Sequence, residues 1–380
     1  MEALDLFVFA DALGWTQVER RGFLRDLLPH RGPCDTIFGY SSTCDPSILT
    51  GRLPAAHGHF SFFVYDPAHS PFGWARALGW LPELVAGHHR VRNRVSRWCA
   101  RRLGYTGYFQ LYSVPFRRLP WLDYTEKRDL YVPGGIIGGQ ETIFDHWERS
   151  GRPWHRSDWR QGDEANVREL LARIDEGRIR LAYLFTAGLD ATMHAHTTAG
   201  PAVDAAFARF AGWLREIHAR AAQRYGEVRL HVFSDHGMTD TRATSAMLRD
   251  FEALGLAYGH DYGAVWDSTM VRFWFLRPGV RERVTAWLAE RREGRVVTDR
   301  QLGAWGCLFP DRRYGELFYL LEPGTIFAPS FMNQRRVPAM HGFDPAHPDS
   351  AACWLTSHPS ANPPARIEQI FDVMLAAARR

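Results

Sequence analysis

The chain has 380 residues, 46% of them hydrophobic and 23% charged, with a formal net charge of +4. That composition describes an ordinary globular protein with enough material for a large core, and excludes a disordered or low-complexity chain. Five scattered cysteines (Cys34, Cys44, Cys99, Cys307, Cys353) have neither the paired spacing of a disulfide framework nor that of a zinc knuckle. No stretch approaches the roughly 20 apolar residues of a membrane span, so a cytoplasmic location is expected.

In chain order, Leu4 to Ala10 is a short apolar run that predicts a first core strand, not a signal peptide, with both faces covered. It ends in Asp11, and a helical segment runs on to Arg25. Ile37 to Tyr40 predicts a second short strand, leading into Ser41, Ser42 and Thr43 and then a short helix ending near Thr50 and Gly51. A hydroxyl where a helix begins sits in the field of unpaired backbone N–H groups, which suits an anionic substrate or an activated oxygen. The same residues also serve as plain helix caps.

From 67 to 154 the period is lost in favour of aromatics, arginines and Gly/Pro turns, which predicts an insertion covering the rest. Of the 46 basic residues only Lys127 is a lysine, a bias that reads first as a codon-composition habit. Within the insertion, His88 to Arg102 carries six arginines among apolar residues. This segment is either a solvated helix face or a lid whose arginines meet an anionic substrate or an acidic membrane surface.

Regular alternation returns with a helix from Glu164 to Glu176, a strand from Ile179 to Thr186, a long amphipathic helix from Pro201 to Tyr225 and a strand from Val228 to Ser234. Residues 257 to 300 read as a small α+β cap insertion, Arg313 to Ser330 as strands and turns, and the last helix starts near Pro364. Strands and helices in alternation predict one α/β domain: a doubly wound, mainly parallel sheet with helices on both faces. Ligands bind beyond the carboxyl ends of such strands, and Asp11, Ser41, Asp190 and Asp235 all fall at that edge.

Asp190 and His194 lie four residues apart in LDATMH, Asp235 and His236 are adjacent in FSDHGM, and His341 lies in MHGFDP. Singly, each has an ordinary reading as a cap, a turn or a satisfied histidine. Together with Asp11 they put three carboxylates and three imidazoles at one sheet edge, a donor set that suits zinc or a similar transition metal.

SILTGRLPAAHG, FSDHGMTD, the Asp190/His194 pair and MHGFDP resemble the alkaline phosphatase superfamily and most closely its type I phosphodiesterase/nucleotide pyrophosphatase branch. The resemblance implies an alkaline-phosphatase-like fold and a site for two divalent ions, zinc with manganese as the alternative. Asp190, His194 and His341 would hold one ion, and Asp11, Asp235 and His236 the other. The family's nucleophile lies ten residues before the glycine of the TG pair, here Gly51, which selects Ser41; Ser42 and Thr43 are the alternates. His57 matches a family histidine read as structural support, and His59 has no assigned role.

The implied reaction is hydrolysis of a small-molecule phosphate ester, nucleotide-, sugar- or lipid-linked, by a phosphodiesterase or pyrophosphatase. Monoester, phosphonate or sulfate hydrolysis is the alternative, and a non-catalytic metal-binding relative is a further one. The sulfatase reading lacks the x-Pro-Ser-Arg run after its nucleophile. No binding of a nucleic-acid duplex is expected.

Overall fold

The computed structural model describes residues 2–79 and 89–380. A six-stranded sheet forms its centre, in the spatial order His30–Cys34, Ala352–Thr356, Glu227–Phe233, Ala3–Ala10, Leu181–Thr186 and Trp154–Arg156. The last four of these run parallel, and Ala352–Thr356 is antiparallel to both of its neighbours.

Burial of both faces explains why the central strand is almost wholly apolar. Leu4, Leu6, Val8 and Ala10 point into one core with Leu170, Ile174, Phe207 and Leu214 from the helices Asp163–Glu176 and Pro201–Arg224. Phe7 and Phe9 point into the opposite core, with Trp147, Tyr183, Phe233 and Trp354. The helices Ser41–Thr50, Ile143–Ser150 and Ile370–Arg379 close that second face. Because side chains alternate along a strand, one strand serves two cores; its one polar residue, Asp5, is fully buried and paired with Arg229 and Arg380.

One expected strand is absent. Ile37 to Tyr40 is irregular, and the strand that precedes Ser41 is His30–Cys34. Ile37 and Phe38 are apolar because they are buried beneath the following helix, at 3% and 0% exposure. His30–Cys34 looks unlike a strand because it is an edge strand, where a proline such as Pro33 is tolerated.

A second, antiparallel sheet of four strands follows the order Tyr262–Trp266, Met270–Phe275, Leu317–Leu321, Gly294–Val297. Phe63, Phe72, Phe116 and Tyr124 share its core with Trp266, Phe273 and Trp287, so most aromatics of the irregular region are packing residues. The helix His89–Leu103 lays Arg92 inward: its guanidinium donates to Val114 O at 2.6 Å and lies 4.1 Å over the Phe116 ring. Its other arginines, including Arg94, Arg97 and Arg101, are exposed. His88, placed at the start of this segment by sequence, lies outside the described residues. Among the described residues no helix is long and apolar enough to cross a membrane.

Candidate functional site

Strands of the central sheet end side by side and deliver their side chains to a common edge. Ala3–Ala10 leads into Asp11, whose N–H donates to Thr186 O at 2.9 Å. Ala12 then adopts a φ of 60°, a left-handed conformation disfavoured for a residue with a β-carbon, and its N–H donates to Asp235 Oδ1 at 3.3 Å. Asp235 and His236 follow Glu227–Phe233. Leu181–Thr186 leads into the helix Gly188–His196, where Asp190 and His194 lie one turn apart on one face. His341 follows the short strand Ala339–Met340, which pairs antiparallel with Thr239–Asp240 just beyond His236.

The six side chains form two groups, Asp190/His194/His341 and Asp11/Asp235/His236, with the ligand atoms of each group within 4.8 Å of one another. The His236 and His341 rings stack at 3.8 Å between centroids, which sets the groups side by side. Hydrogen bonds fix the ring faces. His194 Nδ1 is 2.8 Å from Ala339 O and His236 Nδ1 is 3.0 Å from Gly237 O, so in each ring Nδ1 donates to a carbonyl and Nε2 points inward. His194 Nε2 then lies 3.2 Å from Asp190 Oδ1, and His236 Nε2 lies 3.0 Å from Asp235 Oδ2.

The fit to a cation is visible in what these groups lack. Asp11 Oδ1, Asp190 Oδ1 and Asp235 Oδ2 are buried without a hydrogen-bond partner, although a buried carboxylate oxygen needs one. Burial, reinforced by the charges of Asp235 and Asp190, pushes the Asp11 carboxyl well above the usual range. Burial and the neighbouring His236 and His194 rings hold His341 well below an ordinary imidazole. For His194 burial opposes the charged ring, yet the Asp190 carboxylate outweighs it and the pKa rises. Orphaned carboxylate oxygens facing imidazole nitrogens are a donor set for divalent transition ions.

The three consecutive hydroxyls have different surroundings. Ser41 Oγ lies 3.0 Å from His236 Nε2, at the first residue of the helix Ser41–Thr50. Ser42 Oγ donates to Phe60 O at 3.4 Å, and the fully buried Thr43 hydroxyl donates to the same carbonyl. Of the three, only Ser41 faces the metal-ligand types. Two glycines make this approach feasible. Gly39 has φ +131°, and a Cβ there would collide with the Thr43 side chain. Gly342 has φ +84°, and a Cβ there would meet the Tyr40 ring. Tyr40, not singled out by sequence, accepts from Thr269 N–H at 3.0 Å and so ties the start of the helix to the second sheet.

His57 is fully buried, with Nε2 2.8 Å from Ser47 Oγ, and fastens the same helix from behind. His59 Nε2 accepts from Ile137 N–H at 2.9 Å, which holds a loop of the irregular region, and burial pushes its pKa down to about 3.

A cleft of about 650 Å³ opens in front of Ser41, Asp11, Asp190, His194 and His341. Its remaining walls include Phe62, Tyr108, Tyr112, Tyr131 and Trp159 and four more carboxylates, Asp45, Glu126, Asp129 and Asp267. Asp45 was within reach of sequence reasoning, since it lies one helical turn from Ser41. Glu126 was not, because its segment has no period. None of the arginines of His89–Leu103 lines the cleft among the described residues; its guanidinium is that of Arg160. That helix is no arginine lid over the site: its one inward arginine is used in packing.

Glu126 is 6% exposed and faces Tyr108, Tyr112, Tyr124, Asp45 and Asp129. Burial pushes its carboxyl up to about 8, with Asp129 adding to the shift. The folded chain therefore keeps this proton up to about pH 8, while the unfolded chain loses it near pH 4.5, so the contribution to stability falls as pH rises between them. Glu126→Gln cannot ionise, and its stability relative to the native chain is expected to improve by a few kcal/mol between pH 5 and pH 9. Urea unfolding at both pH values reads this directly; an unchanged difference would show the carboxyl to be solvated.

The chain matches the family model described as type I phosphodiesterase / nucleotide pyrophosphatase over residues 34–344. No curated protein matches it by sequence. Among solved structures it is similar to murine ectonucleotide pyrophosphatase/phosphodiesterase 5, with a TM-score of 0.69 and 14% identity over 99% of this chain and 95% of that one. An inactive variant of that murine protein, in complex with AMP, gives a TM-score of 0.69 and 14% identity, covering 100% and 95%. Phosphonoacetate hydrolase from Sinorhizobium meliloti 1021, in complex with phosphonoformate, gives 0.66 and 13% identity over 99% and 96%. At such identities these structures establish the fold, an alkaline-phosphatase-like α/β architecture around a mainly parallel sheet, and the family model establishes the family. The protein belongs to the type I phosphodiesterase/nucleotide pyrophosphatase family and is an enzyme, a hydrolase of phosphoric esters.

Proposed function

We propose that the enzyme hydrolyses phosphodiesters, with Ser41 as the nucleophile and a pair of zinc ions, or manganese in their place, as its cofactors. Asp190, His194 and His341 would hold one ion, and Asp11, Asp235 and His236 the other. Bound there, the ions supply the positive charge that the phosphoryl oxygens and the serine oxygen require. Ser41 Oγ attacks phosphorus and gives up its proton to solvent. The P–O bond to the departing alcohol breaks, and that oxygen takes up a proton. Water then cleaves the phosphoserine. The amides of Ser41 and Ser42, at the start of the helix, are donors for the phosphoryl oxygens.

The observation that favours a diester is the charge of the cleft. Apart from the imidazoles, its basic group among the described residues is Arg160, which Asp129 already engages at 3.0 Å. A monoester dianion, or a phosphonate bearing a carboxylate, brings a second negative charge into a cavity rich in carboxylates; a diester brings one. The AMP complex of the murine protein supports a nucleotide-sized ester, and the cleft volume accommodates one.

Turnover of bis-p-nitrophenyl phosphate, p-nitrophenyl phosphate, phosphonoacetate and p-nitrophenyl sulfate, with zinc present, tests the reading. The diester is expected to be fastest by about tenfold or more, the cost of one uncompensated charge in such a site. A faster monoester would reverse the assignment, and no turnover with metal bound would favour a binding protein.

A further inference from the structure

The part of the cleft away from the ligand groups has a character that ester hydrolysis does not explain. Four carboxylates line it, and two are neutralised: Asp267 by Arg272 Nε at 2.9 Å, and Asp129 by Arg160 and by Trp159 Nε1 at 3.1 Å. The other two are not. Asp45 Oδ1 is buried with no hydrogen-bond partner, and Oδ2 has only the Tyr131 hydroxyl at 3.5 Å, the outer limit for such a bond. Glu126, more than nine-tenths buried, accepts a single bond from Tyr108 N–H at 3.2 Å, and its second oxygen has no partner among the described residues.

The rings beside these acids form one cluster. Phe62 lies 5.3 Å from Tyr108 and 5.9 Å from Tyr112, and Tyr108 lies 6.1 Å from Trp159. Tyr108 keeps 39% of its surface open. Ring faces attract cations, and a buried unpaired carboxylate oxygen such as Asp45 Oδ1 requires an N–H or O–H donor. A site with both has the complement of a protonated amine. It is equally a poor host for a second phosphate or a carboxylate.

We propose that this region is a subsite for a primary ammonium group carried on the alcohol portion of the ester, with Asp45 and Glu126 accepting its N–H donors and the Phe62–Tyr108–Tyr112 rings facing its charge. The assignment rests on the phosphodiesterase reading for its catalytic consequence and on the cleft alone for binding. In its support, burial holds the Asp45 and Glu126 carboxyls protonated well above their ordinary range, a penalty that an adjacent cation removes. The subsite would make the enzyme select aminoalkyl esters over neutral ones and over polyphosphates.

The test compares p-nitrophenyl 2-aminoethyl phosphate with propyl p-nitrophenyl phosphate, which has the same length and no charge, and with p-nitrophenyl phosphorylcholine, which has the charge and no N–H donor. The aminoethyl ester is expected to lead the propyl ester in kcat/KM by about tenfold and to lead the choline ester as well. In Glu126→Gln, and independently in Asp45→Asn, the ratio to the propyl ester is expected to fall toward one. Because a ratio is read, a general loss of activity in a variant does not enter. A native ratio at or below one, a ratio unmoved in both variants, or a preference for the choline ester would each overturn the subsite. Should none of the esters turn over, the hydrolase reading fails, and calorimetric titration with O-phosphorylethanolamine against propyl phosphate still decides the subsite. Tighter binding of the amine, weakened in Glu126→Gln, would uphold it, and equal binding of the two would remove it.

Discussion

Ser41→Ala is expected to lower hydrolysis of bis-p-nitrophenyl phosphate by at least about 10⁴-fold while leaving the metal content of the protein unchanged. The size follows from the proposed role, because of the three consecutive hydroxyls Ser41 is the one beside His236. Ser42 and Thr43 both direct their hydroxyls to Phe60 O and both are buried, although Ser42 also borders the cleft. Structural disturbance should be small: Ser41 is partly exposed, and its Oγ meets His236 Nε2 and no backbone group. Elemental analysis beside the rate separates a lost nucleophile from a lost ion. Full activity in Ser41→Ala would transfer the role to Ser42, and a variant that loses metal together with activity would make Ser41 a ligand first.

Asp235→Ala is expected to abolish activity by the other route, through the metal. Asp235 is wholly buried, its Oδ1 accepts from Ala12 N–H at 3.3 Å, and its Oδ2 faces His236 without a hydrogen-bond donor. Removing it takes away one proposed ligand and the carboxylate that accepts the Ala12 N–H at the left-handed turn. Zinc per chain, measured after dialysis against a weak chelator, is expected to fall by about half or more, and affinity by well over the roughly 10–100-fold that a lost supporting contact costs. The native protein should also lose thermal stability when a strong chelator removes its ions, because metal that binds only the folded chain stabilises it by mass action. Asp235→Ala should lose less on the same treatment. Unchanged zinc in the variant would show that this carboxylate serves the Ala12 turn alone.

How much of this was readable in advance differs from residue to residue. Asp11, Asp190, Asp235 and His236 each stand just past an apolar run whose length and content mark a strand covered on both faces, so one rule about strand ends collects them. Ala3–Ala10, Leu181–Thr186 and Glu227–Phe233 fall within two residues of where pattern alone puts them. Ile37 and Phe38 misled because apolar residues fill a core equally well from a loop. His30–Cys34 was missed because an edge strand escapes the constraint that makes inner strands legible.

The cleft walls were hidden for a different reason. Glu126 and Tyr108 belong to a stretch without period, and what they line depends on contacts with segments far away in sequence. The arginines of His89–Leu103 carried a clear signal of charge and none of direction. Arg92 turned inward onto Phe116, while the others face outward.

The position of Ala352–Thr356 has a consequence for the order of events during synthesis. This strand is wedged between His30–Cys34, which leads to Ser41, and Glu227–Phe233, which leads to Asp235 and His236. Until the ribosome has released it, the edge strand His30–Cys34 has no neighbour in the sheet, and the segment bearing the alcohol is held beside the acid by ties outside the sheet, such as Thr36 Oγ1 to Asp235 O at 2.6 Å. A nascent chain arrested before residue 352 would carry every reactive group without the strand that joins two of their segments in one sheet, so full catalytic competence is expected late in synthesis.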